Sequence, residues 1–144
     1  MSSDRALTPT HADAAADVQL RLAARPENVA VVRHVMGAFG DVLDLPPATL
    51  RDVRLAVTEA VTNVVRHAYD HEDGEVEVSV RPRPGRLEID VADWGRGIAP
   101  SADRAGPGLG MPMMATLADE LEVDRSAHGG SRIAMRFDRT GPAE

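Results

Sequence analysis

The chain has no cysteine and no lysine, and its 144 residues include one tryptophan, one tyrosine and two phenylalanines. Without cysteine there is no disulfide framework, no thiolate metal site and no cysteine nucleophile. With so few aromatics, the core must be built from Val, Leu, Ala, Ile and Met. All 16 basic residues are arginine, which we read as coding bias rather than function. No run approaches the ~20 apolar residues of a membrane span, and residues 1–16 are too polar for a signal peptide. A cytoplasmic location with no membrane contact is therefore expected. The net charge of −7 argues against direct nucleic-acid binding, which needs a cationic surface. His11, His34, His71 and His128 are scattered and form no metal set.

What is present fits one globular domain, with 43% hydrophobic and 27% charged residues. We place a polar tail at 1–16, the domain at 17–138 and a short C-terminal tail at 139–144. The stretch Leu50 to Tyr69 carries Val53, Val57, Ala60, Val61, Val64 and Ala68 at three-and-four spacing, the stripe of a core-facing helix. Thr49 and Asp52 have the spacing of a capping box at its start. Upstream, Val18–Ala24 alternates as a half-buried strand. A helix opened by Pro26 then carries Val29, Val32, Met36, Phe39 and Leu43. Downstream, Glu75–Arg81 and Arg86–Ala92 alternate as strands around a Pro82–Gly85 hairpin turn. Met111–Ala118 reads as a short helix whose methionines fill the core. Glu120–Asp124 and Ser131–Asp138 read as closing strands. The strands have one apolar face each, so we expect an α/β (α+β) two-layer sandwich. Its sheet is mixed and mainly antiparallel, with helices on one face and solvent or a partner on the other.

Three segments carry chemistry. Glu59 and Asn63 are four apart on the flank of the helical stripe. A carboxylate and a carboxamide at the edge of a core suit a hard cation such as magnesium with phosphate oxygens. Asp93-Trp94-Gly95-Arg96-Gly97-Ile98 comes directly off a strand. Its glycines let backbone approach a ligand, and Asp93 can accept a hydrogen bond from a purine amino group. Gly106-Pro107-Gly108-Leu109-Gly110 leads into a helix, where free N–H groups and a dipole end make a phosphate cradle.

Taken in order, E-A-V-T-N-V-V-R-H-A-Y, D-W-G-R-G-I, G-L-G-M and G-G-S-R-I resemble the N, G1, G2 and terminal glycine boxes of the GHKL (HATPase_c) superfamily, with its Bergerat ATP-binding fold. Within it the chain is most similar to bacterial anti-sigma factor serine kinases of the RsbW/SpoIIAB type, over roughly residues 18–138. The resemblance implies ATP and Mg²⁺ as cofactors. It implies Asn63 as the Mg²⁺ ligand and Glu59 as the general base toward an attacking hydroxyl. Asp93 would hold the adenine, with Gly95 and Gly97 making room for it. Gly108, Leu109 and Gly110 would lie along the phosphates, and Ser131 near the adenine base or its bound water. The implied role is an ATP-dependent serine/threonine kinase and anti-sigma factor in transcription regulation. It would bind a sigma factor and phosphorylate a STAS-type anti-anti-sigma protein. A homodimer is compatible, with Val18–Ala24 at a sheet edge. The loop from Ala99 to Pro107 is shorter than the ATP lid expected in the kinase members. That keeps a second reading open, a non-catalytic nucleotide-binding module that sequesters its partner.

Overall fold

The computed structural model describes residues 18–69, 72–95, 110–125 and 129–139. Strand β1 (Val18–Ala23) leads into helix α1 (Pro26–Leu43) and helix α2 (Pro47–Asn63). Strands β2 (Glu75–Arg83) and β3 (Arg86–Asp93), helix α3 (Gly110–Leu117), and strands β4 (Glu120–Arg125) and β5 (Ser131–Asp138) follow. The strands form one five-stranded sheet in the order β1-β2-β3-β5-β4. All four pairings are antiparallel, so the expected mixed sheet narrows to a purely antiparallel one. β1 lies at an edge, as expected.

Helical periodicity places the α2 stripe in the core. Val53, Val57, Ala60 and Val61 are buried, as are Val64 and Ala68 beyond the helix end. They pack on the inward residues of the sheet, which alternate along β2 (Val76, Val78, Val80), β3 (Leu87, Ile89, Val91) and β5 (Ile133, Met135, Phe137). Each such aliphatic side chain contributes roughly 1.5–3 kcal/mol by leaving water. α1 adds Val32 and Met36 to the same core. Of the α3 methionines, Met114 is fully buried, while Met113 stays partly exposed at 36%. Met114 thus fills the core, with Met111 packed against it from the edge.

Two boundaries differ from expectation. α2 begins at Pro47, after Pro46 in extended conformation, and no side chain caps it. Thr49 and Asp52 therefore sit inside the helix, and the capping box does not form. Proline at the first helical position has no N–H for a cap to satisfy, and its φ is already helical. The β2–β3 turn contracts to Pro84-Gly85, with Gly85 at φ +78°. Pro82 and Arg83 remain in the strand, where they face Leu87 and Arg86.

The face of the sheet turned away from the helices carries charge in register. Arg81, Glu88, Arg136 and Glu120 lie opposite one another across β2, β3, β5 and β4, alternating in sign. Arg81 Nη2 lies 2.8 Å from Asp90 Oδ2, and its Nε lies 3.5 Å from Glu88 Oε1. Arg86 also reaches Glu88, at 3.0 Å, and Arg132 reaches Asp90, at 3.3 Å. Arg136 pairs with Glu120. Burial by itself would lower the pKa of Arg81, but Asp90 and then Glu88 outweigh it and hold the pKa above the ordinary arginine range. A raised pKa keeps Arg81 charged and this stabilisation in place through neutrality, and deprotonation of Arg81 removes it only above that range. Arg81 therefore adds no pH dependence to folding near neutrality.

Candidate functional site

The alternation that turns Leu87, Ile89 and Val91 toward the helices continues one step to Asp93, the last residue of β3. Asp93 is 2% exposed, and its carboxylate is organised by three donors. Gly95 N–H donates to Oδ1 at 2.9 Å, Ser131 N–H donates to Oδ1 at 3.4 Å, and Ser131 Oγ donates to Oδ2 at 3.0 Å. A buried carboxylate is tolerable only when so bonded, because hydrogen bonds to the charged form replace lost water. Asp93 and Ser131, 38 residues apart, thus meet at the end of β3.

Backbone contacts hold this corner closed. A Cβ on Gly130 would lie 1.9 Å from the Asp93 carbonyl oxygen and 2.7 Å from Trp94 Cα. A Cβ on Gly95 would lie 2.0 Å from the Ala68 carbonyl oxygen. Only glycine permits either approach. The Gly95 contact matters for the whole site because Ala68 ends a π-helical turn, Val64–Ala68, that continues directly from α2. Such turns widen a helix locally and often occur at functional sites. The helix that carries Glu59 and Asn63 is thereby fixed against the segment that carries Asp93.

Glu59 and Asn63 are each half-buried, one turn apart near the end of α2. Among the described residues neither side chain has a hydrogen-bond or ion-pair partner. Oxygen donors in that state suit a ligand that brings its own cation. Among the described residues no group of three or more His, Asp or Glu side chains could hold a metal alone. The Asn63 amide oxygen would suit Mg²⁺ that arrives with phosphates and keeps waters, the usual habit of that ion, with the Glu59 carboxylate left free beside it.

Gly97, Gly108 and Leu109 lie outside the described residues, as do Arg96 and the 99–107 loop. Gly110 opens α3. Trp94 is 36% exposed, and the Arg21 guanidinium on β1 stacks 4.3 Å above its ring. Two further participants are Gly130 and Tyr69, which the sequence marked only as members of the terminal glycine box and the N box, without a contact for either.

A polar cavity of about 460 Å³ lies on the opposite face of the sheet, lined by Arg81, Arg132, Arg136, Glu88 and Asp90 among others. Its Glu88 and Asp90 carboxylates are already shared between guanidiniums, and it contains none of the residues at the Asp93 corner. It is an ion-paired surface and not part of this site.

Residues 22–137 match the family described as the histidine kinase-like ATPase domain. The chain is 35% identical over 136 residues to the serine-protein kinase RsbW of Bacillus pumilus, covering 82% of this chain and 83% of that protein. It is 30% identical over 129 residues to the anti-sigma F factor of Caldanaerobacter subterraneus, covering 82% and 90%. Among solved structures, the RsbU and RsbW domains of a Mycobacterium tuberculosis protein superpose with a TM-score of 0.65 at 20% identity. That match covers 88% of this chain and 34% of the other. A histidine kinase domain from Erythrobacter litoralis superposes with a TM-score of 0.58 at 23% identity, over 78% of this chain and 61% of the other. These two likenesses concern the fold and span only part of the longer chains. Among the described residues no helix is long and apolar enough to cross a membrane. With the Asp93 corner, the antiparallel sheet and the helix layer all in place, the chain belongs to the histidine kinase-like ATPase domain family.

Proposed function

We propose that the chain is a cytoplasmic, ATP-binding anti-sigma factor that acts as a serine/threonine protein kinase. It would hold a sigma factor and phosphorylate a STAS-type antagonist protein. The observation that carries this reading is Asp93: a carboxylate 2% exposed, turned toward the helix layer and held by Gly95 and Ser131. A fixed acceptor of this kind suits the exocyclic amino group of adenine. The two relatives of known description are named as a serine-protein kinase and an anti-sigma factor, which supports the partner class.

In this reading Asp93 orients the base, while Gly95 keeps the backbone close beneath it. Asn63 contributes its amide oxygen to Mg²⁺, and Glu59 accepts the proton of the attacking seryl hydroxyl. Bound Mg-ATP supplies the phosphoryl group and the charge neutralisation for its transfer. Gly97 makes room for the base together with Gly95, and Gly108, Leu109 and Gly110 lie along the phosphates. β1, at the edge of the sheet, offers the surface for a homodimer.

Calorimetric titration of ATP and ADP, with and without Mg²⁺, tests the reading on wild type and Asp93→Asn. Wild type should bind in the micromolar range, and the substitution should abolish binding while circular dichroism shows an unchanged fold. A folded wild type that binds neither nucleotide would overturn it.

A further inference from the structure

We propose that Tyr69 is a positioning residue for nucleotide recognition, acting through the Asp93–Gly95 segment. The inference rests on the nucleotide reading above. Tyr69 is the only tyrosine of the chain and follows the π-helical turn directly. Its hydroxyl donates to the Glu75 carbonyl oxygen at 2.5 Å and accepts the Trp94 N–H at 2.8 Å. One oxygen therefore joins three pieces of chain: the end of the α2 helix, the first residue of β2, and the residue that follows Asp93.

The ring is placed as tightly as the hydroxyl. A Cβ on Gly74 would lie 2.3–2.4 Å from three carbons of the ring, so the ring lies flat against bare backbone. A Cβ on Gly95 would lie 3.1 Å from Tyr69 Cδ1. The tyrosine is thus wedged between two glycines, one before β2 and one after Asp93. Gly95 N–H is itself a donor to the Asp93 carboxylate. Any movement of the Trp94–Gly95 backbone changes the donor set that holds Asp93. Tyr69 makes no hydrogen bond to the Asp93 carboxylate itself and acts on it through Trp94 N–H and the Gly95 backbone.

This role differs from general support of the fold in a measurable way. A group that fixes the base-recognising end should affect every adenine ligand by the same factor, whether or not it carries phosphates. Trp94 is the only tryptophan and sits at the joint itself, so its emission reports the segment.

The experiment compares wild type, Tyr69→Phe and Gly74→Ala by calorimetry with adenosine, ADP and Mg-ATP, alongside Trp94 emission and thermal denaturation without nucleotide. Tyr69→Phe keeps the ring and deletes the joint, whereas Gly74→Ala keeps the hydroxyl and displaces the ring. Each folded variant should bind all three ligands roughly threefold to tenfold more weakly, by one common factor, as expected for a lost hydrogen bond. Each should also change the Trp94 emission of the free protein. Wild-type affinity and wild-type emission in a folded Tyr69→Phe or Gly74→Ala would overturn the inference alone. A loss confined to ATP would also overturn it, because the effect would then lie at the phosphates. No binding of any ligand by folded wild type would overturn the nucleotide reading and this inference with it.

Discussion

Adding one methyl group at Gly130 tests whether the Asp93 corner is built by backbone contact. The new Cβ would lie 1.9 Å from the Asp93 carbonyl oxygen, where ordinary contact begins at 3.4 Å, and 2.7 Å from both the carbonyl carbon and Trp94 Cα. Every clashing atom is backbone, so no side-chain rotation relieves it. The start of β5 must move away from the end of β3 by about 1.5 Å. Ser131 moves with it. Its N–H is already 3.4 Å from Asp93 Oδ1 and its hydroxyl 3.0 Å from Oδ2, so that shift carries both bonds beyond useful length. Overpacking and two lost bonds to a charged group together cost about 2–4 kcal/mol. For a chain of this size the melting temperature should fall by roughly 10 °C. Gly129→Ala is the matched control. Gly129 has φ +98° and nothing within 4 Å of an added Cβ, so alanine there adds only backbone strain, about 1–2 kcal/mol. Thermal denaturation and calorimetric ATP titration below both transitions should show Gly130→Ala without measurable binding and Gly129→Ala with wild-type affinity. Wild-type ATP affinity in Gly130→Ala would refute the steric argument, since Asp93 would then have kept its donors.

Two further substitutions separate the faces of the sheet. Arg81→Met should lower stability by about 2–3 kcal/mol in chemical denaturation, because Glu88 and Asp90 lose their buried partner but keep Arg86 and Arg132. Its ATP affinity should be unchanged, and a neutral effect on stability would mean that the charge network contributes nothing. Glu59→Ala should abolish phosphorylation of the antagonist protein while leaving ATP binding within about threefold, since in the proposed reading it removes the general base alone. A Glu59→Ala protein that phosphorylates at the wild-type rate would remove Glu59 from the mechanism.

The elements most legible in the sequence are those whose pattern repeats. The α2 stripe from Val53 to Ala68 recurs with helical spacing, and all six of its members are buried. The alternation in β3 was equally plain. It places Asp93 on the inner face by the same step that places Val91 there, so the site's central carboxylate was legible together with the strand. Boundaries were harder. Pro46-Pro47 and Thr49-x-x-Asp52 are both helix-start signals three residues apart, and the prolines prevail because fixed φ acts without any partner. The π-helical turn at Val64–Ala68 was hidden because it keeps Val64 and Ala68 on the buried side, as a regular helix would.

What the sequence could not show depends on register between distant strands. Glu88 and Asp90 read as the solvent side of an alternating strand, and the alternation assigned that face correctly. It does not say what stands opposite. Arg81 faces Glu88, and Arg136 faces Glu88 from the other side, so long guanidinium side chains cover both carboxylates. Arg81, Glu88 and Asp90 end below a tenth exposed on a face that none of the described helices covers. Tyr69 follows the same logic. Its hydroxyl meets Trp94 across 25 residues because the hairpin β2–β3 returns the chain to the end of α2. Gly74 leaves room for the ring and Gly95 leaves room for the helix end. Each of these residues is an ordinary turn or terminus when taken singly. Only the antiparallel pairing of β2, β3 and β5 makes them neighbours. The Asp93 corner therefore depends as much on the strand register as on Asp93 itself. A variant that shifts β5 by moving its first residue should disable the site without altering any residue expected to touch the nucleotide.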